Sequence, residues 1–160
     1  MRTGQPDKIS LALRKETPRD RGKPEKMLKK IHHVGIVVPN LEKAMEFWRD
    51  LLGLAVVKTA VVQDQGVKAA LLHAGESEIE LLEPLMPENG VGRFLARRGG
   101  GLHHVCFETD NVEDELGRAR ANGVQLIDQH PRAGLAGMIC FLHPKATRGV
   151  LVEYAQPYQE

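Results

Sequence analysis

The chain carries one short pattern twice. His32-His33-Val34-Gly35-Ile36 is matched by His103-His104-Val105-Cys106-Phe107. Each copy opens an apolar, strand-like run. Each is followed by a turn, Pro39-Asn40 and Asp110-Asn111, and then by a helical pattern. In the first half, Leu41, Ala44, Met45, Trp48, Leu51 and Leu52 recur at spacings of three and four, one face of an amphipathic helix. Asn40 is suited to cap that helix and Gly53 to stop it. The second helix starts at Asn111, sets Val112, Leu116 and Ala119 on one face, and stops at Gly123. Strand-like runs follow each helix: 54–62, 68–73 and 78–83, then 125–128, 138–142 and 150–154. The order is β-α-β-β-β, twice. A repeat of this length makes both halves solve the same packing problem. The expectation is an α+β fold of two βαβββ modules related by duplication, their strands wrapping a cavity. One domain covers 29–157: module one at 29–86, a linker with a short helix near 91–98, and module two at 100–157. Gly99-Gly100-Gly101 ends the linker helix.

Strand parity then sorts the side chains, because successive residues face opposite sides. Val34, Ile36 and Val38 share one face, the greasier one, which suits packing on a helix. His33 lies on the other. By the same rule His104 parts from Val105 and Phe107, Glu80 from Ile79 and Leu81, and Glu153 from Val152 and Tyr154. Each module thus offers one His and one Glu to the concave side. They are 47 residues apart in the first half and 49 in the second. His32 and His103 turn by parity towards the helices and read as structural. His73 and His130 have no duplicated placement. His143 sits in a loop, where it can touch a ligand.

Two carboxylates in an apolar concavity need a compensating charge. A divalent cation bound by His33, Glu80, His104 and Glu153 supplies it. Two imidazoles and two carboxylates suit Co²⁺, Mn²⁺, Zn²⁺, Ni²⁺ or Fe²⁺, and the lack of thiolates argues against a structural zinc site. Four protein ligands on an octahedral ion leave two positions for a bidentate oxygen ligand.

Composition closes off other classes. A net charge of +1 gives no reason to expect a nucleic-acid partner, and 4% aromatics argue against a base-stacking surface. No apolar run reaches the roughly 20 residues of a membrane span. Cys106 and Cys140 lack C-x-x-C spacing and read as reduced core residues, which fits a cytoplasmic protein. Residues 1–28 are basic, poor in large apolar side chains and without periodicity. They read as a disordered extension, and they lack the apolar stretch of a secretory signal.

Several segments resemble the vicinal oxygen chelate (glyoxalase) superfamily, and within it the methylmalonyl-CoA epimerases. They are Ile31-His32-His33-Val34-Gly35-Ile36, Ile79-Glu80-Leu81-Leu82-Glu83-Pro84-Leu85 and Gly101-Leu102-His103-His104-Val105. The most specific are Phe141-Leu142-His143-Pro144-Lys145 and Gly149-Val150-Leu151-Val152-Glu153. The likeness covers about residues 29–156. It implies an isomerase that interconverts (2R)- and (2S)-methylmalonyl-CoA through α-proton abstraction and a metal-stabilised enolate. His33 and His104 match the family's metal histidines. Glu153 matches the last ligand, which also serves as a base. Glu80 falls where several members have Gln. Ala69 stands where several bacterial members have a second catalytic Glu, so the second base has no obvious bearer; Asp64, Gln65 and Lys68 are nearby. Gln65, His143 and Lys145 are candidates to touch the acyl-CoA, as are Arg148 and the 134–137 loop. The paired-module fold also suggests a homodimer. Two other readings stay open: another metal enzyme of this fold (glyoxalase I or an extradiol dioxygenase), or a non-catalytic protein that binds a small molecule.

The basic extension generates one expectation. A chain beginning at Met27 should keep the melting temperature and the activity of the full chain. A loss of several degrees in a thermal melt would show that residues 1–26 pack on the domain.

Overall fold

The computed structural model describes residues 28–159, so the expectation for the extension falls almost entirely outside them. Two helical caps form as the sequence dictates. The Asn40 side chain accepts from the Lys43 N–H and opens α1 (Leu41–Met45). The Asn111 side chain accepts from both Glu113 and Asp114 N–H and opens α3 (Val112–Ala121). The linker helix α2 (Gly90–Arg98) is capped by Asn89 and ends at Gly99. Gly99 has φ +75°, a conformation that costs glycine little.

The strands are β1 (Ile31–Val37), β2 (Val56–Val62), β3 (Val67–Ala74), β4 (Ser77–Pro84), β5 (Gly101–Glu108), β6 (Arg132–Gly134), β7 (Gly137–Leu142) and β8 (Val152–Gln156). They form one eight-stranded sheet in the order β2-β3-β4-β1-β5-β8-β7-β6. Each half repeats the same pairing senses. β1 with β4 and β5 with β8 are parallel. The other pairs within each half are antiparallel, and β1 meets β5 antiparallel at the centre. This is the βαβββ module twice, as expected.

Parity decides what each face packs against. Ala70, Leu72 and Leu81 join Leu41 and Met45 under α1. Val112 and Leu116 of α3 pack on Cys140, with Met138 and Tyr154 beside it. The opposite face curves inward. There Val37, Val67, Ala69, Leu71 and Leu82 pack with Leu135, which reaches over from the β6–β7 turn, and with Val91, Phe94 and Leu95 of α2. The sheet therefore nearly closes on itself, and α2 caps one side of the hollow. Cys106 and Cys140 are free and buried, and burial pushes both thiols up to about 12. No helix among the described residues is long and apolar enough to cross a membrane.

Two local expectations fail. The first helix does not keep a 3.6-residue stripe. After Met45 it widens into a π-helical turn over Glu46–Leu51, with the Leu52 N–H bonded to Phe47 O. The changed rotation swings Leu51 and Leu52 outward, to 73% and 49% exposed. The strand expected at 125–128 is not a strand. Leu126 makes one bridge to Leu142, while the Asp128 carboxylate takes the Phe141 N–H and holds Arg132. A side chain thus satisfies the β7 donor that a ladder carbonyl would take, and the edge strand forms later, at β6.

Asn111 accepts two orphan N–H groups at the start of α3, whose Leu116 is fully buried. Asn111→Ala should cost about 0.5–2 kcal/mol, read as a lowered denaturation midpoint with an unchanged slope.

Candidate metal centre

The four central strands each give one polar side chain to the hollow: Glu80 from β4, His33 from β1, His104 from β5 and Glu153 from β8. All four are buried, at 7%, 0%, 4% and 3% exposure. Register explains how they meet. Across the sheet, Glu80 pairs with Gly35 and Gly35 with His104. Two residues along, His33 pairs with Cys106 and Cys106 with Glu153. Each row sets a small residue between two polar ones, so the polar side chains can lean over it towards a common point. At Gly35 the need is absolute, because a Cβ there would lie 2.1 Å from His104 Cε1.

The convergence is tight. His33 Nε2 and His104 Nε2 are 2.9 Å apart. Glu153 Oε2 lies 3.2 Å from His33 Nε2 and 2.8 Å from His104 Nε2. Glu80 Oε2 is 3.4 Å from each. Bonds of about 2.1 Å to one octahedral ion would put neighbouring donors about 3 Å apart. Glu153 Oε2 is fully buried, misses good hydrogen-bond geometry, and has the two imidazole Nε2 atoms as its close polar neighbours; a buried carboxylate so placed needs positive charge beside it. The donor set and its spacing therefore fit a divalent ion.

Without a cation the cluster is a buried quartet of ion pairs. Burial lowers the affinity of His33 for a proton, but hydrogen bonds to Cys106, Glu153 and Glu80 and the charge of Glu80 raise it well above the ordinary value. His104 is likewise desolvated, yet Glu153 and Glu80 lift it to about 9. Burial works to raise both carboxylates. The two imidazoles outweigh it and hold Glu80 and Glu153 below the usual range.

The hollow beside the cluster has a volume of about 760 Å³. Glu80, His104 and Glu153 line it, and so do Asp64 and Gln65 from the turn before β3. Lys68 instead faces outward to Glu42, and Ala69 is sealed in the apolar concave cluster. His143 and Lys145 are not among the lining residues. The His143 Nδ1 accepts the Lys145 N–H and tightens the turn after β7. Arg148 is an exposed residue of the same turn. Of the 134–137 loop, Leu135 reaches the hollow.

Sequence reasoning missed two groups. Arg97 and Arg98, in the last turn of α2, and Arg132 of β6 line the hollow, and nothing in their local pattern marks them. Strand parity alone turns His32 and His103 towards the helix side. His103 lines the hollow instead, and both lie against the inner histidines, because the ladder is irregular at each doublet. The repeated doublet itself was the available signal.

A profile of the Glyoxalase/Bleomycin resistance protein/Dioxygenase superfamily matches residues 32–141. The mitochondrial methylmalonyl-CoA epimerase of Mus musculus is 36% identical over 131 residues, 81% of this chain and 74% of that protein. The ethylmalonyl-CoA/methylmalonyl-CoA epimerase of Cereibacter sphaeroides is 34% identical over 133 residues, 81% of this chain and 99% of that protein. A solved structure of a Streptomyces coelicolor methylmalonyl-CoA epimerase variant, in complex with 2-nitronate-propionyl-CoA, superposes with a TM-score of 0.78. It is 38% identical, covering 81% of this chain and 95% of that one.

The geometry predicts about one divalent ion per chain, and binding must expel the protons held by the imidazoles. The His104 proton leaves near pH 9, so calorimetric affinity should fall as pH drops below that value. Gly35→Ala, which collides with His104, should weaken binding by tenfold or more (about the range for a misplaced ligand). Absence of stoichiometric binding by the parent chain would refute the assignment.

Proposed function

The chain belongs to the glyoxalase/bleomycin resistance protein/dioxygenase superfamily and, within it, to the methylmalonyl-CoA epimerases, and from that membership we propose that it interconverts the (2R) and (2S) forms of methylmalonyl-CoA by moving the α-proton. It is an isomerase of that type. The observation that carries the mechanism is the buried Glu153 carboxylate, converging with three other metal-type donors at the edge of a ligand-sized hollow.

The α-carbon of this substrate lies between a carboxylate and a thioester carbonyl. His33, Glu80, His104 and Glu153 would hold a divalent ion, which would supply a Lewis acid for the carbonyl oxygen where charge develops. Positive charge beside it favours the carboxylate form of Glu153, whether carried by the imidazoles or by a bound ion. Glu153 takes the proton from one face of the α-carbon, and the C–H pair passes into the enolate. Return of a proton to the other face completes inversion and leaves no net change in protons.

Ala69 has no group to carry that second proton. Asp64 is the carboxylate in the lining outside the four-donor cluster. It is exposed and can exchange protons with water, so we assign it the second face. Leu82, Phe94, Leu135, Ile139 and Phe141 make the rest of the hollow apolar, which strengthens the fixed charges acting on the enolate. Arg97, Arg98 and Arg132 bring positive charge to the same hollow. The guanidinium fork suits phosphate, which supports an acyl-CoA as the substrate.

Proton NMR of methylmalonyl-CoA in D₂O checks this. The α-proton should wash out as the second epimer appears, and chelation should stop both. Glu153→Gln, loaded with metal, should lose roughly a hundredfold in turnover or more. A near-normal rate would remove the base assignment, and isomerisation of a hemithioacetal with no inversion of methylmalonyl-CoA would point to glyoxalase I chemistry.

A further inference from the structure

Each inner histidine is preceded by a histidine that the β1–β5 ladder leaves unpaired. Ile31 pairs with Phe107 and His33 with Cys106, so His32 is a surplus residue on β1. Gly35 pairs with His104 and Ile36 with Leu102, so His103 is a surplus residue on β5. A regular strand would send consecutive side chains to opposite faces. A bulge re-aims them. Here it sets His32 Nδ1 3.0 Å from His33 Nδ1, and His103 Nδ1 2.9 Å from His104 Nδ1. The same edge-to-face contact recurs in both halves, with ring centroids 5.2 Å apart each time. Each inner ring therefore has both nitrogens engaged: Nε2 at the shared centre and Nδ1 against its neighbour.

We propose that His32 and His103 are positioning residues whose Nδ1 lone pairs accept the Nδ1–H of His33 and His104, fixing the tautomer that turns a bare Nε2 towards the centre. This rests on the divalent-cation reading. Two ring nitrogens about 3 Å apart share one proton. If the inner ring keeps it, the inner Nε2 has a free lone pair, and the outer ring carries its own proton on Nε2. Glu78 Oε2, at 3.7 Å from His32 Nδ1, is too far to compete as a hydrogen-bond partner. Metal-binding histidines usually give the second ring N–H to a carboxylate or a carbonyl. Here a neighbouring imidazole takes that place in each half, and the bulge is what delivers it. The outer rings also differ in their surroundings. His103 packs its ring on Phe94, with centroids 4.9 Å apart, and lines the hollow. His32 lies at the opposite end, beside Glu78.

The test uses the full chain with Zn²⁺ as a diamagnetic probe. Long-range proton–nitrogen NMR of the loaded protein should show His33 and His104 protonated at Nδ1, and His32 and His103 protonated only at Nε2. By calorimetry, His32→Leu and His103→Leu should each weaken Zn²⁺ binding by about ten- to a hundredfold. His32→Gln and His103→Gln keep an acceptor and should recover most of that loss. Outer rings protonated at Nδ1, or Leu variants that bind like the parent, would overturn the inference. Leu and Gln variants equally impaired would mark a packing role and overturn it too. Should a variant not fold, the tautomers of the parent chain decide alone. A parent chain that binds no Zn²⁺ takes the cation reading down with it, whereas stoichiometric binding with the wrong tautomers removes this inference only.

Discussion

Two carboxylates and two imidazoles are buried together in the middle of one sheet, and much of the fold serves that arrangement. An isolated buried carboxylate is prohibitively costly, and a buried ion pair recovers its desolvation only when its geometry is good. Good geometry here means four strands in fixed register, since the donors come from β4, β1, β5 and β8. The antiparallel seam between β1 and β5 joins the halves and sets both transverse rows. Slipping that seam by one residue would send His33 or His104 to the helix face. The apolar layers under α1 and α3 hold the register, because Leu81 and Cys140 are locked against their helices.

The pairing pattern is symmetric and the hollow is not. Gly35 and Cys106 occupy equivalent places in their rows, but a side chain is tolerated only at 106. The Cys106 Sγ lies within 4.8 Å of the ring nitrogens of His32 and His33, whereas Gly35 must stay bare beneath His104. Helix α2 covers one side only, bringing Phe94, Arg97 and Arg98, and Leu135 reaches across from the other half. A symmetric set of donors thus faces an asymmetric cavity. The proposed proton transfer at both faces of one carbon would draw on such a departure from symmetry. Asp64, the carboxylate of the lining outside the four-donor cluster, comes from the first half alone.

Most of the fold was legible because its signals are local or periodic. Asn40 and Asn111 cap the helices they precede, and Gly99 ends α2, through their own backbone chemistry. Alternation along β1, β4, β5 and β8 put His33, Glu80, His104 and Glu153 on one face, and repetition made their meeting credible. Parity failed where a strand stopped being regular. At His32 and His103 the ladder admits a surplus residue, and no alternation rule foresees a bulge set by the pairing of two distant strands. The stripe through Leu51 and Leu52 failed for a related reason: a wider helical turn changes the angle per residue. The segment 125–128 was lost as a strand to a single side chain, Asp128, which satisfies the Phe141 N–H.

The sequence by itself therefore determined the family, the repeated β-α-β-β-β order and which four polar side chains share one face, because each depends on residue type and short-range spacing. Tertiary structure decided what the donors do together. Only packing brings the Nε2 atoms of His33 and His104, 71 residues apart, to 2.9 Å, and only register makes Gly35 the floor beneath a ring on another strand. The arginines of the cavity lining, Arg97, Arg98 and Arg132, were likewise invisible, since a concave surface belongs to no segment. Its residues share a neighbourhood that exists only after the sheet has curved, and no period in the chain encodes which distant side chains will face one another across it.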